Sequence, residues 1–204
     1  VNDTRLLVKR AQGNDLDAFE ELVRLFQNKV YTLCFRLSGS HADAQDLAQE
    51  AFIRAYRALG SFRNEADFGT WLHRITMNVW FNFRRKNSLR QADVYLDEPY
   101  QGSDGGMLRR EAAAGEGHPL QELEEKEFRG LVRLALDELT AEHRAVLMLR
   151  DVEGYSYDEV SKMLGCSLGT VKSRLSRARE VMRRRMTELA RESGEALPAD
   201  KGRR

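Results

Sequence analysis

Asp43, Asp46 and Glu50 recur with Gln49 at three- and four-residue steps. In a helix that spacing puts Asp46, Gln49 and Glu50 on one face. Such a face could offer acceptors to arginines of a partner, hold a divalent cation, or simply be solvated. A metal-dependent nuclease built on Asp43, Asp46 and Glu50 would need convergent ligands, and His41 is the only nearby histidine. A glycine-rich phosphate loop is also missing. A second group of residues joins aromatics to bases. Residues 62–90 hold six Lys/Arg against Glu65 and Asp67, a net of +4, together with Phe62, Phe68, Trp71, Trp80, Phe81 and Phe83. Aromatic faces beside cations suit unstacked single-stranded bases. A third group is more basic still. Residues 167–186 carry seven bases against Glu180, a net of +6. Two basic stretches separated by acidic ones suggest two contacts with a polyanion, the plain alternative being solvated helix faces.

Little else in the chain could perform covalent chemistry. The four histidines are scattered, and the two cysteines cannot form a zinc quartet or a disulfide framework. Cys34 falls on an apolar stripe and reads as core; Cys166 reads as a small filler in a turn. No cofactor is expected. The 204 residues, 42% apolar and 32% charged with only three prolines, exclude collagen, coiled-coil fibre and wholesale disorder. No apolar run approaches the ~18 residues that would suggest a membrane span. Asp3, Arg5, Lys9 and Arg10 interrupt the amino end, so no signal peptide is expected there. A reduced, cytoplasmic protein is the expectation.

The elements that must position these groups are all helical. Phe19, Leu22, Val23, Phe26, Val30, Leu33, Cys34 and Leu37 make one buried stripe. Ser38-Gly39-Ser40 ends that helix, and Ser40 can cap the next. Leu47, Ala51, Phe52, Ala55 and Leu59 give the second helix its inner face, and a loop, Phe62 to Asp67, leads into a third helix running to about Lys86. Its inward stripe is expected to be Phe68, Leu72, Ile75, Val79 and Phe83. Met77, Trp80 and Phe81 fall off that stripe, as residues that meet a neighbouring domain or partner do. Residues 87–120 hold five Gly and two of the three prolines, carry a net of −3, and show no sustained period. That is too long for a connection inside one domain, and it predicts a tether, with a local helix at Met107 to Ala114. Helical periodicity resumes over 121–190, with Phe128, Leu131, Val132, Leu134, Ala135 and Leu139 in one stripe and Ala145, Val146, Leu149 and Val152 in another.

The densest information lies in 156–182. Ser156-Tyr157-Asp158-Glu159 is a capping box, the helix it opens stops at Gly165, and Ser167 caps a basic successor. A short helix, a tight turn and a capped basic helix form a helix-turn-helix. At ~100° per residue, Val171, Leu175, Ala178 and Met182 point inward, while Lys172, Ser173, Ser176 and Arg177 point away. Lysine and arginine donate to guanine O6 and N7, and serine donates or accepts. Thr170, Arg174 and Arg179 flank this face and could grip phosphates.

The run from Gly154-Tyr155-Ser156-Tyr157-Asp158-Glu159-Val160 through Leu164-Gly165-Cys166-Ser167-Leu168-Gly169-Thr170-Val171-Lys172-Ser173-Arg174-Leu175 to Arg177-Ala178-Arg179 resembles the fourth conserved region of bacterial sigma factors. Specifically it resembles the small extracytoplasmic-function (ECF) group of the sigma-70 family. Asp43-Ala44-Gln45-Asp46-Leu47-Ala48-Gln49-Glu50-Ala51-Phe52-Ile53-Arg54-Ala55-Tyr56 resembles that family's polymerase-binding helix. Phe62-Arg63, followed by Phe68-Gly69-Thr70-Trp71-Leu72-His73-Arg74-Ile75, resembles the segment that reads and opens the −10 element.

The resemblance implies an all-α chain of two small helical domains joined by a flexible linker. Its boundaries would be 1–86 for region 2, 87–120 for the acidic linker, 121–190 for region 4 and 191–204 for a disordered tail. It implies a non-enzymatic alternative sigma factor of the stress-response type, with core RNA polymerase as partner through the β′ clamp helices and the β flap. Asp43, Asp46, Gln49 and Glu50 would meet the clamp helices. Phe62, Arg63, Asn64, Ile75, Asn78, Arg84 and Arg85 would take the single-stranded −10 element, with a flipped base held by the loop from Phe62 to Asp67. Thr170, Lys172, Ser173, Arg174, Ser176, Arg177 and Arg179 would meet duplex −35 DNA. It further implies an anti-sigma factor, which could hold the cytoplasmic protein at a membrane without direct insertion of this chain. Trp80 departs from the small residue the family pattern leads one to expect. The rival on the residues alone is a stand-alone helix-turn-helix regulator, which would not need the carboxylate face of 43–50. A free tether would leave the two DNA contacts at variable spacing, so the isolated chain is expected to hold promoter duplex weakly until polymerase fixes that spacing.

Overall fold

The computed structural model describes residues 2–63, 66–94 and 119–193. Every regular element among them is helical. The amino-terminal domain consists of α1 (Asn2–Gln12), α2 (Leu16–Ser38), α3 (His41–Ala58) and α4 (Phe68–Val94), with a single 3-10 turn at Leu59–Ser61. The carboxy-terminal domain consists of α5 (Pro119–Asp137), α6 (Ala141–Leu147), a π-type turn at Met148–Val152, α7 (Tyr157–Leu164) and α8 (Leu168–Ser193).

The helix ends follow local chemistry. Asp15 accepts from the Ala18 amide at the start of α2, and Ser40 from the Asp43 amide at the start of α3, each satisfying an otherwise orphaned donor. Ser156 and Glu159 form the reciprocal capping box of α7. Gly165 closes α7 with φ 62°, a left-handed conformation that glycine adopts without steric cost. Ser167 then accepts from the Thr170 amide at 3.1 Å and starts α8.

In the first domain α2, α3 and α4 pack on one another, with α1 laid against α2. Leu22, Val30, Leu33, Cys34 and Leu37 meet Leu47, Ala51, Ala55 and Leu72 in one buried core. Burial pushes the Cys34 thiol up to about 12, which agrees with a core role. In the second domain α8 packs on α5, α6 and α7. Val171, Leu175 and Ala178 are buried as the phase requires, with Met182 half-buried.

Three features differ from the sequence expectation. Helix α1 forms a separate element, and its Gln12 amide donates to the carbonyls of Leu59 and Phe62 at 3.0 and 2.8 Å. Helix α4 runs on past Lys86 to Val94. The third difference is larger: the two domains are docked. Helices α6 and α7 rest on α4, and the π-type turn rests on α2. The expected helix at 107–114 and the tail beyond Ser193 lie outside the described residues.

Candidate polymerase and promoter surfaces

Helix α3 carries its carboxylates on the side away from its buried alanines and Leu47. Asp46 and Gln49 are exposed, while Asp43 and Glu50 are half-buried. Glu50 is held by Arg54 at 2.7 Å, one turn along. Asp46 and Gln49 are thus the free acceptors of this face, and Glu50 contributes a carboxylate already shared with a cation. Among the described residues no group of three His, Cys, Asp or Glu side chains is placed to hold a metal ion.

The loop and helix that follow separate into packed and open residues. Phe62, expected at the strand-binding surface, is only 7% exposed. Its ring sits 4.8 Å from Trp71 and 6.0 Å from Phe68. It is packed into an aromatic cluster, edge-on to Phe68 and tilted against Trp71. Arg63, Asn78, Arg84 and Arg85 are exposed and Ile75 is half-buried; Arg85 also donates to Asn82 at 3.1 Å. Asn64 lies outside the described residues. The inward stripe of α4 is wider than expected. Leu72, Thr76 and Val79 are buried on one side, and His73, Met77 and Trp80 on the adjoining side. Ile75 and Phe83, expected in the stripe, are only half-buried.

On α8 the open face agrees with its phase. Lys172, Ser173, Ser176 and Arg177 are exposed, opposite buried Val171, Leu175 and Ala178. Thr170 is half-buried, its hydroxyl 2.9 Å from that of Ser167. Arg174 is half-buried. Arg179 is committed elsewhere: Asp151 accepts its Nε and Nη2 hydrogens at 2.8 and 2.6 Å. This two-pronged pairing holds the Arg179 proton more tightly than usual and braces α8 against the π-type turn. A shallow hollow beside it is lined by Tyr157, Lys172, Ser176, Arg179 and Arg183. The Tyr157 ring lies beneath Arg150 at 4.7 Å and Lys172 at 5.9 Å. Two cations on one ring hold the base of the exposed face in place.

A set of residues at the domain junction was not legible as a site. Arg144 is 3% exposed and donates to the Leu37 carbonyl of the other domain at 2.8 Å. Within its own domain it also donates to the Leu136 carbonyl and to Asp137. Arg36 pairs with Glu153 at 3.0 Å. The Tyr155 hydroxyl meets His73 Nδ1 at 2.9 Å. Gly154, with φ 80°, and Arg150, which donates to the Tyr155 carbonyl at 2.8 Å, aim that ring. Burial holds His73 below the ordinary imidazole range and pushes the Tyr155 phenol up to about 12. The one sequence signal for a neighbouring domain was the off-stripe set Met77, Trp80 and Phe81.

The comparisons with known proteins agree with the two-domain geometry. The sigma-70 region 2 family matches residues 22–90, and the sigma-70 region 4 family matches 129–182. The ECF RNA polymerase sigma-E factor of Escherichia coli K12 is 38% identical over 189 residues, covering 92% of this chain and 96% of that protein. The ECF RNA polymerase sigma factor SigW of Bacillus subtilis is 33% identical over 182 residues, covering 89% and 96%. Among solved structures, the sigma factor RpoE of Bartonella quintana in complex with the anti-sigma factor NepR superposes with a TM-score of 0.62 at 25% identity. That match covers 83% of this chain and 96% of RpoE. Two matched regions in order, on two helical domains with an exposed helix-turn-helix face, make this chain a member of the ECF group of sigma-70 factors, non-enzymatic proteins that direct RNA polymerase to promoters.

Proposed function

We propose that the two domains divide promoter recognition between duplex and single strand. The α8 face of Lys172, Ser173, Ser176 and Arg177 reads base edges of a −35 element in the major groove, with Thr170 and Arg174 on the flanking phosphates. Arg179 acts through Asp151, orienting the helix, and reaches a phosphate only with hydrogens left over from that pair. The single observation that carries this reading is the clean division of α8 into a buried apolar face and an exposed face of donors. Direct readout requires such a face.

The −10 element falls to the loop after α3 and to the open side of α4. Arg63, Asn64, Ile75 and Asn78 surround an extruded base, and Arg84 and Arg85 hold phosphates. Phe62 supports that pocket from behind through Trp71. Extrusion costs a few kcal/mol, which base stacking and hydrogen bonds in the pocket must offset. Asp46 and Gln49, with Asp43 and Glu50 beside them, dock on the β′ clamp helices of core polymerase, and the second domain meets the β flap. An anti-sigma factor is a further partner of this chain, a reading supported by the NepR complex of the Bartonella relative. No described helix is long and apolar enough to cross a membrane, so an attachment of this part of the chain to a membrane would run through such a partner.

The test is in vitro transcription with purified core polymerase on a promoter library. The expected result is initiation from a subset of templates sharing two spaced elements, lost when Lys172 and Arg177 are replaced by Ala. Initiation with no shared upstream element would refute the duplex-reading role of α8.

A further inference from the structure

The pair of Asp151 and Arg179 sits beside the face that the reading above gives to duplex DNA, and its role rests on that reading. At ~100° per residue, Lys172, Ser176, Arg179 and Arg183 fall within about 60° of one another along α8. All four line one hollow together with Tyr157 of α7, and Glu180 is the one acid among its lining residues. Lys172 and Arg183 are exposed. Arg179 is open too, with its side chain 49% exposed. Yet its Nε and Nη2 hydrogens go to Asp151 at 2.8 and 2.6 Å. The carboxylate comes from outside α8. The π-type turn at Met148–Val152 closes with the Glu153 amide donating to the Met148 carbonyl at 2.9 Å, a wider loop of helix than the α form. Buried Leu149 anchors that turn, Arg150 goes to the Tyr155 carbonyl, and Asp151 goes to Arg179.

Magnitudes decide between a brace and a balance of charge. Val171, Leu175 and Ala178 are buried and already hold α8 to its domain. An ion pair whose side chains are 49% and 30% exposed adds little to that hold. Its effect on a polyanion is larger. A cation that neutralises a phosphate releases a counterion and adds about 0.9 to the slope of log affinity against log salt. The guanidinium N–H donors not taken by Asp151 could still touch a phosphate, but the charge that would draw it there is balanced at contact distance. We propose that Asp151 is an affinity-setting residue of the duplex reader: it cancels the charge of Arg179 and so withholds one sequence-independent phosphate contact from α8. The grip of the second domain on arbitrary duplex is thereby kept low. Occupancy of a promoter then depends on both tethered contacts together rather than on α8 alone.

The test is a salt series of fluorescence anisotropy, with the full chain binding a labelled duplex of scrambled sequence. Three forms are compared: the unaltered chain, Asp151→Asn, and Asp151→Asn with Arg179→Gln. Asparagine keeps an acceptor oxygen for Arg179, so α8 stays in place, and melting curves are run beside the titrations. Asp151→Asn should steepen the salt slope by about 0.9 and tighten low-salt binding about threefold or more. The unaltered chain and the double variant, both without net charge at this pair, should share one slope. An unaltered chain steeper than the double variant by about one unit would mean that Arg179 grips a phosphate in spite of Asp151, and would overturn the proposal. An unchanged slope for Asp151→Asn, with weaker binding and a lowered Tm, would leave only a brace and overturn it as well. Binding of the unaltered chain that does not weaken with salt would instead sink the duplex-reading role of α8, a result distinct from either.

Discussion

Helices α4 and α8 are the two long basic helices of the molecule, and the sequence treats them alike. Each mixes a buried stripe with Lys and Arg, and each is assigned to nucleic acid. Their surroundings differ. Helix α8 has one covered side and one open side, so every residue on the open side is available to DNA. Helix α4 is covered on two adjoining sides, first by α2 and α3, then by α6 and α7. What stays open is the narrow margin bearing Arg74, Asn78 and Arg85, with Arg84 exposed to one side of it. The open face of α8 is independent and pre-formed, whereas the open margin of α4 shares its helix with an interdomain contact.

The comparison can be sharpened by substitution, beginning with the largest effect. Trp80→Ala removes a fully buried indole from the doubly covered side of α4. It should cost about 3–5 kcal/mol of stability, seen as a lowered Tm. A loss below about 1 kcal/mol would mean that Trp80 lies at an open surface. On α8 the balance should reverse. Lys172→Ala or Arg177→Ala should leave Tm within about the ±0.5 kcal/mol of ordinary surface changes. Each should cost about 1–3 kcal/mol in discrimination at one duplex position, measured by holoenzyme binding to single-base promoter variants. Replacing Asp46 and Gln49 by Ala should weaken core-polymerase association by about 1–3 kcal/mol, read by competition binding, with helical content intact.

The smallest effect is titration of the junction. His73 faces Tyr155 and Glu153 from the second domain, and Lys29 and Asp67 from the first. Burial lowers its pKa in the folded chain, outweighing the carboxylates, so folding favours neutral imidazole. The stability it contributes is therefore fully present above the ordinary histidine value of about 6.5 and declines as pH falls through it. Thermal melts of the free chain should show a lower Tm at pH 5.5 than at pH 7.5, and His73→Gln should reduce that difference. A difference unchanged by His73→Gln would remove His73 from this pH dependence.

Much of this was legible in the sequence because it is local. The capping box at Ser156, the stop at Gly165 and the phase of Val171, Leu175 and Ala178 depend on neighbours within a few residues, and the structure reproduces them. The α3 carboxylate face was legible for the same reason. The burial of Phe62 was not legible, because for a loop aromatic it is decided by Trp71 and Phe68 across a turn, which no periodicity records. Arg179 was read as a phosphate contact because its partner Asp151 is 28 residues away. The junction was the least visible part. No sequence pattern singled out Arg144, and only the fold brings it to the Leu37 carbonyl, 107 residues away in sequence. Met77, Trp80 and Phe81 fall off the expected stripe, which signals a neighbour without naming it, and Met77 and Trp80 are fully buried.

The division of labour between α8 and α4 is tested most directly by permanganate footprinting of holoenzyme on paired duplex and pre-melted promoters, with Lys172→Ala and Asn78→Ala compared. The base proposed for Asn78 exists as a target only once unstacked. Asn78→Ala should therefore leave closed-complex binding nearly intact, slow opening of the duplex template, and recover on the pre-melted one. Lys172→Ala should lose upstream duplex binding and recover on neither template. Equal defects of Asn78→Ala on both templates, or rescue of Lys172→Ala by pre-melting, would contradict the assignment of duplex reading to α8 and strand capture to α4.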